Sequence, residues 1–426
     1  MNESRKMYRM LLHLLPWIVT VACSVNAGEL TGLVDPFWGN GRTESPESIG
    51  WARGWNWLKA QMGNTIPGAL TPFGWVSVCA YTGNYPCGYG LLKACCEGVP
   101  EYADKVMVAD GFTHFHHNGT GFAGLFYNYF LFSPGAEGSD FSVFSRLEKE
   151  TASPGYYSAT LADRKCSFEI VARPAAACHR YRFPTGKGRI VIDVKHIGLQ
   201  EKAFLLPENN CHDKKCEGYE IKEMSVGVWK GFARFHQLTI YFTIHAKADS
   251  LKSAVKDGVI TIETVGENAE TFIGFSLADV NTACKRADEA VRDGFANSRR
   301  MAEERWEKEL SRIRVRFSDG NLRRLFYSTL YFSFVKPIDT EIGFLDYFTL
   351  WDVYRTELPM VMSLFPDMAR RMMDDMMAVS EEYGFYPIKR YMTGHRLQKW
   401  RDNGQATALS VYLLSMSVGI DVWLSG

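Results

Sequence analysis

The sequence predicts a protein in two parts, an N-terminal antiparallel β-sandwich followed by a helical portion. Residues 29–280 contain short alternating or β-branched runs, separated by Gly, Pro, Asn and Asp. No helical pattern interrupts these runs, which favours antiparallel pairing over a parallel α/β sheet. The pattern changes at Thr282, where Ala, Glu, Lys and Arg begin to dominate and few helix breakers occur.

The clearest strand signals lie at residues 166–172, 189–194, 238–244, 259–265 and 271–277. Their mostly alternating side chains are typical of strands with one buried face. After a long connecting helix at 282–312 and a strand-like piece at 313–317, helices are predicted at 321–335, 366–383 and 406–418. Pro359 is expected to divide the stretch 350–365 into two short helices.

The composition is that of a globular protein with balanced charge. The chain has 426 residues, 46% of them apolar, and 48 basic side chains match 48 acidic ones. This apolar content argues against a disordered chain. The absence of net charge gives no electrostatic reason to expect nucleic acid or an anionic membrane as the main partner. The aromatic content of 14% suits either a large core or surfaces that stack on sugar rings.

The N-terminus has the pattern of a secretory signal over residues 1–27. Arg5, Lys6 and Arg9 precede an apolar run at 10–23, and Val25-Asn26-Ala27 offers a cleavage site between small residues. The run is shorter than the roughly 20 residues that a membrane-spanning helix needs. We therefore expect a protein that is secreted or held in the periplasm or cell envelope, without a membrane span after processing. An uncleaved anchor or a buried first helix is the alternative.

Export would expose the cysteines to an oxidising compartment. Of the ten cysteines, Cys23 would leave with the signal, so an odd number would remain and at least one thiol would be unpaired within the chain. Cys211 and Cys216 lie in a polar stretch and could close a small loop. A zinc site that also uses His212 is the competing interpretation, but it lacks a second pair of ligands at a suitable spacing.

Two Gly-rich stretches carry candidate binding residues. The stretch 63–74 is rich in Gly, Pro and Asn and contains Asn64. The stretch 111–121 places His114, His116 and His117 in a predicted loop, which would offer many hydrogen-bonding groups with few packing constraints. Either stretch could instead be turn chemistry, a solvated loop or a weak metal site. Asn118-Gly119-Thr120 also matches a glycosylation acceptor.

A third stretch, Leu350-Trp351-Asp352-Val353-Tyr354-Arg355-Thr356, joins an aromatic ring to charged groups. Asp352 and Arg355 are three residues apart and share a face if the segment is helical. An aromatic platform beside a carboxylate suits a sugar hydroxyl pair. Asp352 could instead be a helix cap or a member of a surface ion pair. Phosphate-binding glycine loops, the Gly-x-Ser-x-Gly elbow and the His-Glu-x-x-His helix do not occur in the sequence.

Taken in order, these stretches resemble glycoside hydrolase family 92, the calcium-dependent exo-acting α-mannosidases. The resemblance begins at Val34-Asp35-Pro36-Phe37-Trp38-Gly39, continues through the Gly63 and Gly111 stretches, and reaches the Trp351 stretch. It implies an N-terminal β-sandwich over residues 28–281, a helical linker over 282–317, and the first part of an (α/α)6 barrel over 318–426.

The resemblance also implies a function, the inverting hydrolysis of terminal α-mannosidic bonds in mannose-containing oligosaccharides or N-glycans. Calcium is expected from the family, where it contacts sugar hydroxyls. The substrate-binding residues carried over by the resemblance are Trp351, Asp352, Arg355, Asn64, His114, His116 and His117.

The sequence departs from the family in its later motifs. Gly-Asn-Glu-Pro and Gly-Asn-Asp-Asp-x-Gly, which supply calcium ligands and the base, do not occur, and residues 394–405 lack the Glu of the usual Asn-Glu-Thr stretch. No metal ligand, catalytic acid or catalytic base is therefore assigned. We expect the chain to be an N-terminal portion of the enzyme that has no turnover alone. The alternatives are a non-catalytic carbohydrate-binding protein and an adhesion protein built on a β-sandwich.

Overall fold

In a computed structural model of the chain, the described residues are 28–41, 65–83, 87–91, 99–116, 127–198, 216–235, 238–345 and 356–383. Their strands are β1 Val78–Ala80, β2 Val108–Ala109, β3 Phe112–His114, β4 Tyr129–Ala136, β5 Ser145–Ser153, β6 Tyr156–Leu161, β7 Cys166–Arg173, β8 Ala176–Arg182, β9 Lys187–Asp193, β10 Cys216–Ser225, β11 Val228–Phe235, β12 Leu238–Lys256, β13 Val259–Ser276, β14 Ile338–Thr340 and β15 Gly343–Leu345. Their α-helices are α1 Val280–Leu310, α2 Gly320–Ser333, α3 Glu357–Leu364 and α4 Pro366–Tyr383, and short 3-10 helices lie at Thr31–Leu33 and Glu101–Asp104.

The sheet domain is organised around β13, the long central strand. The first half of β13 pairs with β9 and its second half with β8, while its other edge pairs with β12. The β9 side continues through β4 and β3 to β1, and the β8 side continues through β7, β6 and β5 to β2. All of these pairings are antiparallel, so the predicted antiparallel sandwich followed by helices is confirmed.

The core lies between the two sides of this sheet. Phe112 of β3 stacks against Phe132 of β4, at 5.5 Å between ring centroids, and faces Phe168 of β7 across the interior at 5.1 Å. All three rings are buried. Burying such large apolar side chains supplies the main driving force that holds the two layers together.

Two of the predicted strands, at 259–265 and 271–277, prove to be one. β13 runs without interruption from Val259 to Ser276. The polar residues between the two runs suggested a loop, but Gly266 takes a φ of +107° that bends the strand. β12 pairs with β13 on both sides of this bend. The register between the two strands shifts opposite the bend, between Ala248 and Ser250 of β12. Continuous backbone pairing therefore outweighs the local polarity of the sequence.

The helical portion starts with α1, which Asp279 caps by accepting hydrogen bonds from the amides of Asn281 and Thr282 at 2.8 and 2.9 Å. The helix is kinked at Gly294, where φ is +71°. α4 begins at Pro366, as predicted, since proline is well suited to a first helical turn. The strand predicted at 313–317 is wrong, because this segment finds no partner strand among the described residues.

Three further findings concern the described residues. The hairpin β14–β15 lies in a region that was predicted to be entirely helical. The six cysteines within the described ranges are Cys79, Cys87, Cys166, Cys178, Cys216 and Cys284, and each is a free thiol. Among the helices in those ranges, none combines the length and apolar character needed to cross a membrane.

Glu307 of α1 anchors the segment that begins at Gly28. Its buried carboxylate accepts hydrogen bonds from the amide of Leu30, at 2.9 and 3.1 Å, and from the amide of Thr31 at 3.0 Å. The amide of Asp35 donates to Ser328 of α2 at 2.9 Å. The N-terminal segment thus joins the connecting helix to the next helix through hydrogen bonds from its backbone amides to a side chain of each helix.

Replacing Glu307 with Gln is expected to lower the free energy of unfolding by about 2–4 kcal/mol. An amide has one acceptor oxygen, and its NH2 group would face backbone donors. Urea denaturation of the purified protein checks the value. Glu304→Gln in the same helix is the control, since its exposed pairing with Arg300 is worth only about 0.3–0.5 kcal/mol. Equal effects of the two substitutions would contradict the anchoring role.

Candidate active-site cavity

A cavity lies where the sheet domain meets the segment after α2. Its enclosed space amounts to about 20 Å³, room for about one water molecule, within a wider depression of about 370 Å³ that includes open solvent. Residues from both parts of the chain line it, among them Trp75, Ser77, His116, Val335, Lys336 and Ile338. The two walls are thus separated by more than 200 residues of sequence.

The loop before β1 places Trp75 in the sheet-side wall. Ala69 and Val78 exchange backbone hydrogen bonds of 2.8 and 2.9 Å across the base of this loop. Gly68 is required there, because a Cβ atom would lie 2.6 Å from the carbonyl oxygen of Val78. The amide of Trp75 then donates to the carbonyl of Pro174 at 3.2 Å. These bonds fix the backbone from which the indole projects.

The indole of Trp75 forms part of an aromatic wall. It stacks on Phe115, with centroids 5.1 Å apart and planes at 14°, and meets Phe275 edge-on at 6.2 Å. Only 3% of Trp75 is exposed, so these rings hold the indole in one orientation. Rigid aromatic faces of this kind suit the apolar faces of ring-shaped ligands.

His116 supplies the polar group in the same wall. Its Nδ1 lies 3.0 Å from the carbonyl oxygen of Cys87, and its Nε2 lies 2.8 Å from Thr113 Oγ1 and 3.2 Å from the carbonyl oxygen of Cys79. Burial lowers the pKa of His116 to about 4, although these hydrogen bonds raise it. The ring is therefore neutral at pH 7 and has one N–H to share among three neighbouring oxygens.

His114 lies in the core of the sheet domain instead. The loop predicted at 111–121 is wrong for Phe112–His114, which form β3. The His114 ring finds polar partners inside the core, because its Nδ1–H donates to the carbonyl of Phe130 at 3.0 Å and its Nε2 lies 3.3 Å from Nε2 of His179. His114 has no exposed surface in this structure. Its predicted contact with a sugar stays a prediction.

The other predicted site residues lie outside the described residues. These are Asn64, His117, Trp351, Asp352 and Arg355. Of the seven predicted residues, the structure thus places His116 in the cavity wall and His114 in the core.

Sequence reasoning missed Trp75 and Lys336. Trp75 directly follows the Pro72-Phe73-Gly74 end of a stretch that was singled out, so extending that stretch by one residue would have found it. Lys336 follows a predicted helix end and carries no local signal.

Family comparison decides what kind of protein contains this cavity. The family model described as the glycosyl hydrolase family 92 N-terminal domain matches residues 33–284. The model described as the glycosyl hydrolase family 92 catalytic domain matches residues 282–414. The chain belongs to glycoside hydrolase family 92. The cavity of this family 92 chain lies between residues matched by the first model and residues matched by the second.

Solved structures of family 92 share the fold. An α-mannosidase of Bacteroides thetaiotaomicron in complex with mannoimidazole is 18% identical, with a TM-score of 0.66, and the match covers 93% of this chain and 56% of that one. An inverting mannosidase of the same organism is also 18% identical, with a TM-score of 0.63 and coverages of 89% and 52%. The family 92 chain thus spans little more than half the length of these relatives. A search of curated proteins finds no match.

Glu357 is a half-buried carboxyl group whose pKa is influenced by the Lys336 ammonium group. Burial raises the pKa of Glu357 to about 7, although the Lys336 ammonium group lowers it. A carboxyl group with this pKa is partly protonated at neutral pH. Glu357 begins α3, directly after the Trp351 stretch.

A calcium site is not found among the described residues. They contain no group of three or more His, Cys, Asp or Glu side chains placed to hold a metal ion. Calcium prefers six to eight oxygen ligands, largely carboxylates and carbonyls. The described residues of this family 92 chain do not supply such a ligand set.

Proposed function

We propose that this chain recognises terminal α-linked mannose in glycans and belongs to an exported enzyme that hydrolyses this bond with inversion. The observation that carries the proposal is the cavity that residues matched by both family 92 models share. An aromatic wall and an imidazole lie on one side of this cavity, and an ammonium group lies on the other. The fold shared with mannosidases supports the choice of sugar.

Inverting hydrolysis needs two carboxyl groups roughly 6.5–9.5 Å apart, one to protonate the leaving oxygen and one to activate water. The family motifs for the base and the usual acid do not occur in this sequence. We therefore expect binding of mannosides without turnover by this chain alone. Calcium remains part of the proposal for the whole enzyme, and export rests on the signal pattern of residues 1–27.

The proposal predicts selective binding of mannosides. Calorimetric titration of the purified chain with methyl α-mannoside should give saturable binding. Methyl α-glucoside, its epimer at C2, should bind at least about tenfold more weakly, because an epimer leaves polar groups of the site unpaired. Substitution of Trp75 by Ala should weaken mannoside binding by about tenfold through loss of the aromatic wall.

The matched control is Tyr219→Ala, which removes an exposed aromatic ring on β10, outside the cavity lining. It should leave the affinity unchanged. A chain that binds neither glycoside, or whose Trp75→Ala variant binds like the wild type, would contradict the proposal.

A non-catalytic carbohydrate-binding protein is the second candidate, and residues 394–405, which lack the Glu of the usual Asn-Glu-Thr stretch, favour it. Reading the gene beyond the codon for Gly426 separates the two. An in-frame continuation with Asn-Glu-Pro and Asp-Asp motifs supports the enzyme. A stop codon, together with mannoside binding, supports the binding protein.

A further inference from the structure

Phe73 occupies an unusual position between the two walls of the cavity. It lies in the Thr71–Gly74 turn, which the amide of Gly74 closes by donating to the carbonyl of Thr71 at 3.0 Å. Its φ of +54° lies in the left-handed region, which bulky side chains rarely adopt. Strained residues of this kind persist where surrounding contacts hold them, and they are frequent at functional sites.

The backbone of Phe73 is bonded to the opposite wall at both of its polar groups. Its amide donates to the carbonyl of Phe334 at 2.9 Å, and its carbonyl accepts from the amide of Asp339 at 2.8 Å. These two partners enclose the four residues 335–338, of which Val335, Lys336 and Ile338 line the cavity. Gly74 and Trp75, the next residues after Phe73, line the facing wall.

The ring of Phe73 reinforces this connection. It packs against Phe334 at 5.7 Å between centroids and edge-on against Phe365 at 4.9 Å. Phe365 is itself held by Arg312, whose guanidinium carbon lies 4.1 Å from the ring centroid and whose Nη1 donates to the carbonyl of Leu364 at 2.7 Å. The ring thus joins the sheet domain to the end of α2, the end of α3 and the end of the connecting helix.

We propose that Phe73 is a positioning residue that fixes the distance between the Trp75 wall and the Lys336 wall, and thereby the affinity of the cavity for its sugar. The part that concerns the sugar rests on the proposed function. The part that concerns the walls does not. Removing the ring keeps the two backbone bonds but deletes the contacts with Phe334 and Phe365, so the two walls are then held together less rigidly.

The test uses Phe73→Gly, which accepts the left-handed φ and removes only the ring. Phe73→Leu is the second variant if the first does not fold. The matched control is Phe183→Leu, which replaces a fully buried aromatic ring that stacks on Tyr181 within the sheet domain. Each protein is labelled with 5-fluorotryptophan, and the 19F resonance of residue 75 is assigned with Trp75→Phe.

We expect one narrow Trp75 resonance in the wild type and the control, and a broadened or doubled resonance in the Phe73 variants. Mannoimidazole affinity should fall at least about tenfold in the Phe73 variants and stay unchanged in the control. A resonance that stays unchanged in a folded Phe73 variant overturns the positioning role. Failure of the wild type to bind mannoimidazole, with the resonance still broadened by the substitution, overturns the proposed function and leaves the positioning of the walls supported.

Discussion

Substitution of Arg164 by Met is expected to lower the free energy of unfolding by about 3–5 kcal/mol. The Arg164 side chain is 1% exposed and pairs with Asp110 at 2.5 Å. It also donates to the carbonyls of Asp110 and Val143 at 3.1 and 3.0 Å. Removing the guanidinium group would leave a largely buried carboxylate without its counter-charge. Urea denaturation at pH 7 measures the loss.

The pH dependence of this loss has a definite sign. Burial raises the pKa of Asp110, while the Arg164 charge lowers it. Without Arg164 the pKa rises further, so the carboxyl group becomes neutral in the folded variant at a higher pH. The penalty should therefore be largest at neutral pH and shrink in acid, where protonation removes the unpaired charge.

Two further variants make this expectation specific. Arg146→Met removes an exposed, solvent-screened pairing with Asp163 in the same region and should cost far less than Arg164→Met. The double variant Arg164→Met, Asp110→Leu should recover much of the lost stability, because no buried charge then remains unpaired. If Arg164→Met costs no more than Arg146→Met, the account of this ion pair is wrong.

Acid should destabilise the protein through the buried pair His114 and His179. Their hydrogen bonds define one arrangement of neutral rings. Since Nδ1–H of His114 donates to the carbonyl of Phe130, its Nε2 accepts from Nε2–H of His179, whose Nδ1 then accepts from the Thr271 hydroxyl at 2.9 Å. Burial lowers the pKa of His114 to about 3 and that of His179 well below its ordinary value.

An unfolded histidine takes up its proton near pH 6.5. The folded protein takes up the proton of His114 only near pH 3. The stability that His114 contributes is therefore present above pH 6.5 and is lost as the pH falls from 6.5 towards 3. Between pH 7 and pH 5 the loss is about 2 kcal/mol for this one residue.

The measurement is the free energy of unfolding in urea at pH 7, 6 and 5, for the wild type and for His114→Gln. The wild type should lose about 2 kcal/mol more than the variant over this range. The comparison cancels the contributions of titrating groups that His114 does not influence; His179 is the exception, since His114 helps to lower its pKa. Parallel curves for the two proteins would show that His114 does not titrate as its burial requires.

The sequence allowed much of the fold to be predicted wherever local pattern and local structure agree. Alternation marked 238–244, which is the first part of β12, and the change of composition at Thr282 lies two residues from the start of α1. The hairpin β14–β15 was missed because its strands have three residues each, too few for a period to show. β13 was divided because pairing with neighbouring strands, not its own side chains, carries it past Gly266.

The candidate site was harder to predict, for a physical reason. The backbone bonds of Phe73 to Phe334 and Asp339 join positions about 260 residues apart, and no periodicity reports such a contact. His114 and His116 looked alike in the sequence, as two imidazoles in one polar stretch. In the folded chain one faces His179 in the core, and the other lies in the cavity wall. In a continuous strand His114 and His116 would point to the same face, because side chains alternate along a strand. β3 ends at His114, so His116 lies beyond the strand and does not follow this alternation.

The most direct test of the central claim is a crystal structure of the chain soaked with mannoimidazole. The account predicts electron density for the sugar ring in the solvent-open part of the cavity, beside Trp75 and Lys336, with a ring nitrogen or hydroxyl of the ligand on the side of His116. Density for the ligand only outside this cavity would contradict the account. So would crystals without bound inhibitor, if calorimetry then shows that the Trp75→Ala variant still binds it in solution.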